Sequence, residues 1–217
     1  MMADHDDHND ETFLDMCKNG DTEEVRMALA TGMDANTRGD FGETGLLNAA
    51  FNGQVEIMDL LIQAGADADS KDNMGHTALM EAAGNGGLAA VEFLLSKPEV
   101  DAAAKDNDGW TALHYAAGEG NADVLNLLYN HPGIDLGAAT KYGGETVLHV
   151  LAENTGDPDI LRDLLNIPAV DANARNFQDK TPIMLLLENG GSTEMLQVFV
   201  DDDRVDIEHE GLEDLAR

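Results

Sequence analysis

A threonine followed by apolar residues returns along this chain at nearly constant steps. Thr44-Gly45-Leu46-Leu47, Thr77-Ala78-Leu79-Met80, Thr111-Ala112-Leu113-His114, Thr146-Val147-Leu148-His149 and Thr181-Pro182-Ile183-Met184 recur at spacings of 33, 34, 35 and 35 residues. Thr12-Phe13-Leu14-Asp15 precedes them by 32. A second element keeps the step: Leu60-Leu61, Leu94-Leu95, Leu127-Leu128, Leu164-Leu165 and Phe199-Val200 fall 16 to 18 residues after each threonine. Each unit then closes on a small turn and an aspartate, as in Gly65-Ala66-Asp67, Val100-Asp101, Ile134-Asp135, Val170-Asp171 and Val205-Asp206. A period of this length constrains the architecture before any local reading does, because one unit buries its apolar face only by stacking on its neighbours.

Within a unit the pattern reads as two short helices. The threonine hydroxyl can cap the first turn of a helix. Ala49-Ala50, Ala82-Ala83 and Ala116-Ala117 let adjacent helices approach closely, and Asn19-Gly20, Asn52-Gly53, Asn85-Gly86 and Asn189-Gly190 supply left-handed residues to end the helix. In the second helix Val55, Leu60 and Leu61, or Val124, Leu127 and Leu128, share one face at helical spacing, while Glu56, Asp59 and Asn126 stay wet.

These residues carry a family resemblance. Asp72-Asn73-Met74-Gly75-His76-Thr77 followed by Ala82-Ala83, and Asp106-Asn107-Asp108-Gly109-Trp110-Thr111 followed by Ala116-Ala117, resemble the ankyrin repeat unit, D-x-x-G-x-T-P-L-H-x-A-A with a V-x-x-L-L helix and G-A-D-V-N after it. The resemblance covers nearly the whole chain. It implies an all-α ankyrin repeat solenoid built of helix-turn-helix plus hairpin units, with about six repeats at 12–36, 37–69, 70–102, 103–136, 137–172 and 173–207. An acidic, flexible tail is expected at 1–11 and a single domain over 12–217, ending in a half-repeat cap at 208–217 or in a seventh unit cut short. The fifth unit departs from the pattern by shortening its hairpin to Lys141-Tyr142-Gly143-Gly144-Glu145-Thr146. Four units replace Gly-Ala-Asp with forms such as Pro98-Glu99-Val100-Asp101 and Pro132-Gly133-Ile134-Asp135.

Charge narrows the partners. Against 43 Asp and Glu stand 12 Lys and Arg, a formal net charge of −31 that runs through both halves of the chain. Phosphate backbones and anionic headgroups need clustered cations, so neither nucleic acid nor membrane is expected as a ligand, and a protein with a basic surface is. The single cysteine, Cys17, excludes an intramolecular disulfide and any zinc site with two thiolates. With no signal peptide and no run of roughly 18 apolar residues, a monomer in the cytoplasm or nucleus is expected.

Three rows emerge when the units are aligned. Arg38, Lys71, Lys105, Lys141 and Arg175 lie five or six residues before their threonines, either an anionic docking strip or, as favoured here, cations paired with neighbours such as Asp72 and Asp106. At the hairpin tips Phe41, Met74, Trp110, Tyr142 and Phe177 stand at or one residue from equivalent positions, with His76 beside them; exposed, they would supply contact area at low rotamer cost. The residues that follow the small pair of the first helix form the third row, with Phe51 and Asn52 in one half and Glu119, Glu153 and Glu188 in the other. That row would match a partner with a hydrophobic end and a basic end. Capping is the competing role of its asparagines.

Catalytic chemistry is not expected. The chain lacks a phosphate loop, Gly-x-Ser-x-Gly and His-Glu-x-x-His, and its carboxylates lack the dry cleft that would shift their pKa values. No cofactor and no metal is assigned: His5 and His8 with Asp4, Asp6, Asp7 and Asp10 read as a solvated tail, and Cys17 as a packed thiol. The resemblance implies buried hydrogen-bonding roles for His114 and His149 between repeats. It also leaves open hydroxylation of Asn36 or Asn173, which match the last position of G-A-D-V-N. The expected function is a non-catalytic scaffold that grips a partly basic protein or peptide through hairpin tips and the concave inner-helix face. A stoichiometric inhibitor masking a basic surface, and the regulatory ankyrin segment of a larger enzyme or channel, remain alternatives.

Overall fold

The computed structural model describes residues 6–85, 87–154 and 157–206, with side chains from residue 9 onward. Among them are twelve α-helices in six consecutive pairs and no strand; one isolated antiparallel bridge joins Arg38 and Thr44. The chain divides into two compact units between Asn107 and Asp108.

In the first unit the first helices of the pairs are α1 (Asp6–Asn19), α3 (Gly45–Phe51) and α5 (Ala78–Gly84), and α3 packs against both others. The second helices are α2 (Thr22–Ala30), α4 (Val55–Gln63) and α6 (Leu88–Leu95), with α4 against α2 and α6. Ala49, Ala50, Ala82 and Ala83 are fully buried, which is what close approach of α3 and α5 requires. Ile57, Met58, Leu61 and Leu94 fill the layer between first and second helices. At one end α1 contributes Phe13, Leu14 and Cys17. Burial pushes the Cys17 thiol up to about 12, which makes it an inert packing group, as expected from its position. Helix α1 begins at Asp6, so residues 6–11, expected as tail, are helical.

The second unit repeats the plan. Its first helices are α7 (Ala112–Glu119), α9 (Val147–Glu153) and α11 (Pro182–Glu188); its second helices are α8 (Ala122–Tyr129), α10 (Pro158–Leu165) and α12 (Thr193–Val200). Helix α9 packs between α7 and α11, and α10 between α8 and α12. Leu113, Leu125, Leu128, Leu148, Leu161, Leu164, Leu186 and Phe199 form the core.

Four of the repeat threonines cap as the spacing predicts, in two ways, whereas Thr12 lies inside α1 and Thr181 makes no side-chain cap bond. Thr44 Oγ1 accepts from the Leu47 N–H and Thr77 Oγ1 from the Met80 N–H, both at 3.4 Å. At α7 and α9 the histidine joins in: the Thr111 N–H donates to His114 Nδ1 (3.3 Å), and the Thr146 N–H to His149 Nδ1 (3.1 Å). Because Nδ1 accepts, Nε2 carries the hydrogen. It donates to the Glu145 carbonyl from His114 (3.2 Å) and to the Lys180 carbonyl from His149 (3.0 Å). Each histidine thus ties a helix start to the next loop, the buried bridging role the resemblance implied.

A third seam joins the closing turns. Asn36 donates to the Gly65 carbonyl and accepts from the Asp67 N–H, and Asn173 does the same with the Arg204 carbonyl and the Asp206 N–H. The proposed cap at 208–217 lies outside the described residues, as do His5 and the His8 side chain.

Candidate protein-docking surface

Loops before the first helices are narrow and closed by backbone bonds. Asp72 N–H donates to the His76 carbonyl (3.2 Å), Thr140 N–H to that of Glu145 (2.9 Å) and Asn176 N–H to that of Lys180 (3.0 Å). A further bond ties each tip to its neighbour. In the first unit the Asn73 N–H donates to the Phe41 carbonyl (2.9 Å) and the Asn107 N–H to the Met74 carbonyl (3.0 Å). In the second, the Lys141 N–H donates to the Asp108 carbonyl and the Phe177 N–H to the Gly143 carbonyl, both at 2.7 Å. The tip backbones are therefore fixed while their side chains face solvent: Phe41 is 76% and Met74 60% exposed in the first unit, Tyr142 69% and Phe177 71% in the second.

Trp110 does not belong with them. It directly precedes Thr111, whereas Phe41 and Met74 stand three residues before their threonines, so Asp108 is the tip residue of its loop. Its half-buried indole lies against Tyr115 and His114, with ring centroids 5.4 Å and 5.8 Å away. The sequence reading slid the tryptophan two residues along the loop because aromatic character, rather than register, was matched.

Several cations of the basic row are engaged by carbonyls of the fold, and Arg175 also pairs with the Asp179 carboxylate at 3.4 Å. Arg38 Nη1 donates to the carbonyls of Gly42 (2.8 Å) and Lys71 (2.7 Å), and Lys71 Nζ to that of Lys105 (2.8 Å). In the second unit Arg175 donates to the Asp179 carbonyl and Lys141 lies 5.0 Å over the Tyr142 ring.

The third row is mixed. Asn52 is the C-cap of α3 and donates its side-chain N–H to the Asn48 carbonyl at 2.9 Å; Asn85 does likewise to Glu81 and Asn154 to Val150. Asn52 is thus a capping residue. Phe51 beside it is 47% exposed. In the second unit Glu119, Glu153 and Glu188 are all exposed, and Glu188 pairs with Lys180. Partial burial and then the nearby Glu145 raise the Glu153 carboxyl above its ordinary value, while Lys180 works the other way.

His76 has a richer setting than its sequence position suggested. Its Nδ1 lies 2.9 Å from Glu81 Oε1 and 3.7 Å from Asp72 Oδ2, and its Nε2 3.9 Å from Asp106 Oδ2. Burial raises the Glu81 carboxyl; the hydrogen bond and charge of His76 oppose the shift. Sequence reasoning missed this grouping because Asp72, His76 and Glu81 are spaced four and five residues apart across a loop and a helix start, a spacing with no helical or motif signature.

Tandem pairs of short helices, joined by pinned loops that hold apolar side chains out to solvent, define a helical repeat fold. The sequence model described as ankyrin repeats (3 copies) matches residues 13–106, 46–140 and 79–176, and the chain belongs to the ankyrin repeat family. Ankyrin repeats generally mediate protein–protein interaction and are generally non-catalytic. No curated protein matches the chain. No described helix is long and apolar enough to cross a membrane.

Proposed function

We propose that this chain is a non-catalytic docking module that holds a partly basic protein or peptide against its loop tips and the adjacent ends of its first helices. The observation that carries the reading is the contrast at the tips. Phe41 and Met74, and in the second unit Tyr142 and Phe177, are large apolar groups in water on a backbone already fixed by interloop hydrogen bonds. Little ordering entropy remains to be lost on binding there. The preference for a basic partner rests on the net charge of −31, since cations such as Arg38 and Lys71 are engaged by carbonyls.

The test is affinity capture with the full chain, at low and at high salt, beside a variant carrying Phe41→Ala, Met74→Ala, Tyr142→Ala and Phe177→Ala. The expected outcome is a protein retained by the wild type at low salt, released at high salt, and lost from a variant whose melting temperature is unchanged. Equal capture by the variant would remove the tips from the interface. Capture insensitive to salt would remove the basic partner.

A further inference from the structure

Structural roles in this chain recur from unit to unit, and the His76 grouping does not. The residue before the capping threonine and the residue four after it are Glu43 and Asn48, Trp110 and Tyr115, Glu145 and Val150, Lys180 and Leu185 in other units; only here are they a histidine and a carboxylate. The bridging histidines, His114 and His149, stand three residues after their threonines, so His76 is not one of them. Three half-buried groups, Asp72, His76 and Glu81, place one ligand atom each within 4.8 Å of one another.

We propose that Asp72, His76 and Glu81 form a binding site for a divalent metal ion of the zinc class, held by His76 Nδ1 and one carboxylate oxygen each from Asp72 and Glu81. The distances suit it. With metal–ligand bonds of about 2.1 Å, the edges of a tetrahedron are roughly 3.4 Å, and the two separations from Nδ1, 2.9 and 3.7 Å, bracket that value. A small side-chain rotation of Glu81 brings its oxygen into place, with the ion replacing the proton between Nδ1 and Oε1.

The surroundings prepare the ligands. Asp72 Oδ1 accepts from the N–H groups of Met74 (2.9 Å) and His76 (2.8 Å), which fixes the carboxylate and leaves Oδ2 to face the imidazole. Behind the ring, the Asp106 carboxylate is only 4% exposed and lies 3.9 Å from Nε2. A buried carboxylate at this ion-pair distance adds negative charge behind the ring, which favours a cation on Nδ1, and the histidine set between Asp72 and Glu81 distinguishes the grouping from a mere acidic cluster. One nitrogen and two oxygens favour zinc or a neighbouring late transition metal over calcium or magnesium, which take six or more oxygens. Three protein ligands leave one position open to water. The loop so clamped is the one that presents Met74.

Calorimetric titration of the full chain with zinc chloride, in buffer salty enough to suppress diffuse binding to its acidic surface, tests the site. One tight site is expected, and either His76→Gln or Glu81→Gln should weaken it by at least about tenfold. Circular dichroism of both metal-free variants should match the wild type. The readout that needs no variant is nitrogen NMR of the histidine rings, in which zinc should move the His76 Nδ1 resonance at one equivalent. Zinc binding unchanged in both variants, or a His76 ring unmoved at saturation, would overturn the proposal and leave only an ion pair among Asp72, His76, Glu81 and Asp106.

Discussion

Trp110 packs on Tyr115 with ring centroids 5.4 Å apart and the planes tilted by 51°. The contact joins the residue before a capping threonine to the residue four after it, across the first turn of α7. Its energy belongs to the fold: an aromatic pair contributes about 0.5–1.5 kcal/mol beyond the area it buries.

Trp110→Ala is therefore expected to lower the stability of the second unit by about 2 kcal/mol, read from urea denaturation, with partner affinity changing only as far as stability does. Phe177→Ala should do the reverse, weakening a partner by on the order of 1–2 kcal/mol at unchanged stability. If Trp110→Ala weakens binding at full stability, the indole is a contact residue after all.

The periodic content of the sequence was legible and the aperiodic content was not. Thr44, Thr77, Thr111 and Thr146 sit at helix starts because capping and apolar spacing are local properties that a one-dimensional pattern records. The histidine bridges from α7 and α9 were implied by the family resemblance. Trp110 was misplaced because aromatic character was matched instead of register: its loop is as long as that of Met74 and carries Asp108 at the equivalent tip position. The meeting of Asp72, His76 and Glu81 depends on how tightly one loop folds back, and Asn52 shows an amide that caps its helix being indistinguishable in sequence from one that binds.

His149 gives the second unit a pH dependence. Burial lowers its pKa from the ordinary 6.5, against the hydrogen bond that Nε2 donates to the Lys180 carbonyl and the charge of Glu145, which raise it. The geometry explains the direction: Nδ1 already accepts from the Thr146 N–H, so a second ring proton would meet a donor. The folded state thus refuses a proton that the unfolded chain accepts below about pH 6.5. Stability from this residue is complete above that pH and is lost as pH falls toward the folded value. Denaturation midpoints between pH 7.5 and about 5.5 should slope less in His149→Gln than in the wild type; parallel slopes would show that His149 takes its proton equally in both states.

At the start of α11 the same threonine has lost its partner. Met184 stands where α7 and α9 carry histidine, Pro182 occupies the first turn, and the buried Thr181 Oγ1 has no hydrogen-bond partner. A buried hydroxyl without a bond contributes only its desolvation cost, so Thr181→Val should leave stability within about 0.5 kcal/mol of wild type or raise it. Thr146→Val, which removes the hydroxyl beside His149 Nδ1 at 2.9 Å, should cost about 1–2 kcal/mol. Similar losses at both positions would mean that Thr181 finds a partner in solution.

Two glycines of nearly equal backbone conformation separate the strain of a left-handed residue from the packing of the loop tips. Gly65 has φ +93° and nothing within 4 Å of where a Cβ would stand; Gly75 has φ +88°, and a Cβ there would lie 2.8 Å from the Asn107 backbone nitrogen and 3.0 Å from Asp106 Cα. Gly65→Ala should therefore cost only the left-handed penalty, about 1–2 kcal/mol. Gly75→Ala carries the same penalty and must also push apart the two loops joined by the Asn107 N–H to Met74 carbonyl bond, which adds about 1–3 kcal/mol. Hydrogen exchange at the Asn107 amide should quicken in Gly75→Ala and not in Gly65→Ala, since only the first displaces its acceptor. Equal losses in the two variants, with the Asn107 amide protected in both, would mean that the tip loops separate without cost and that the fixed presentation of Met74 does not hold.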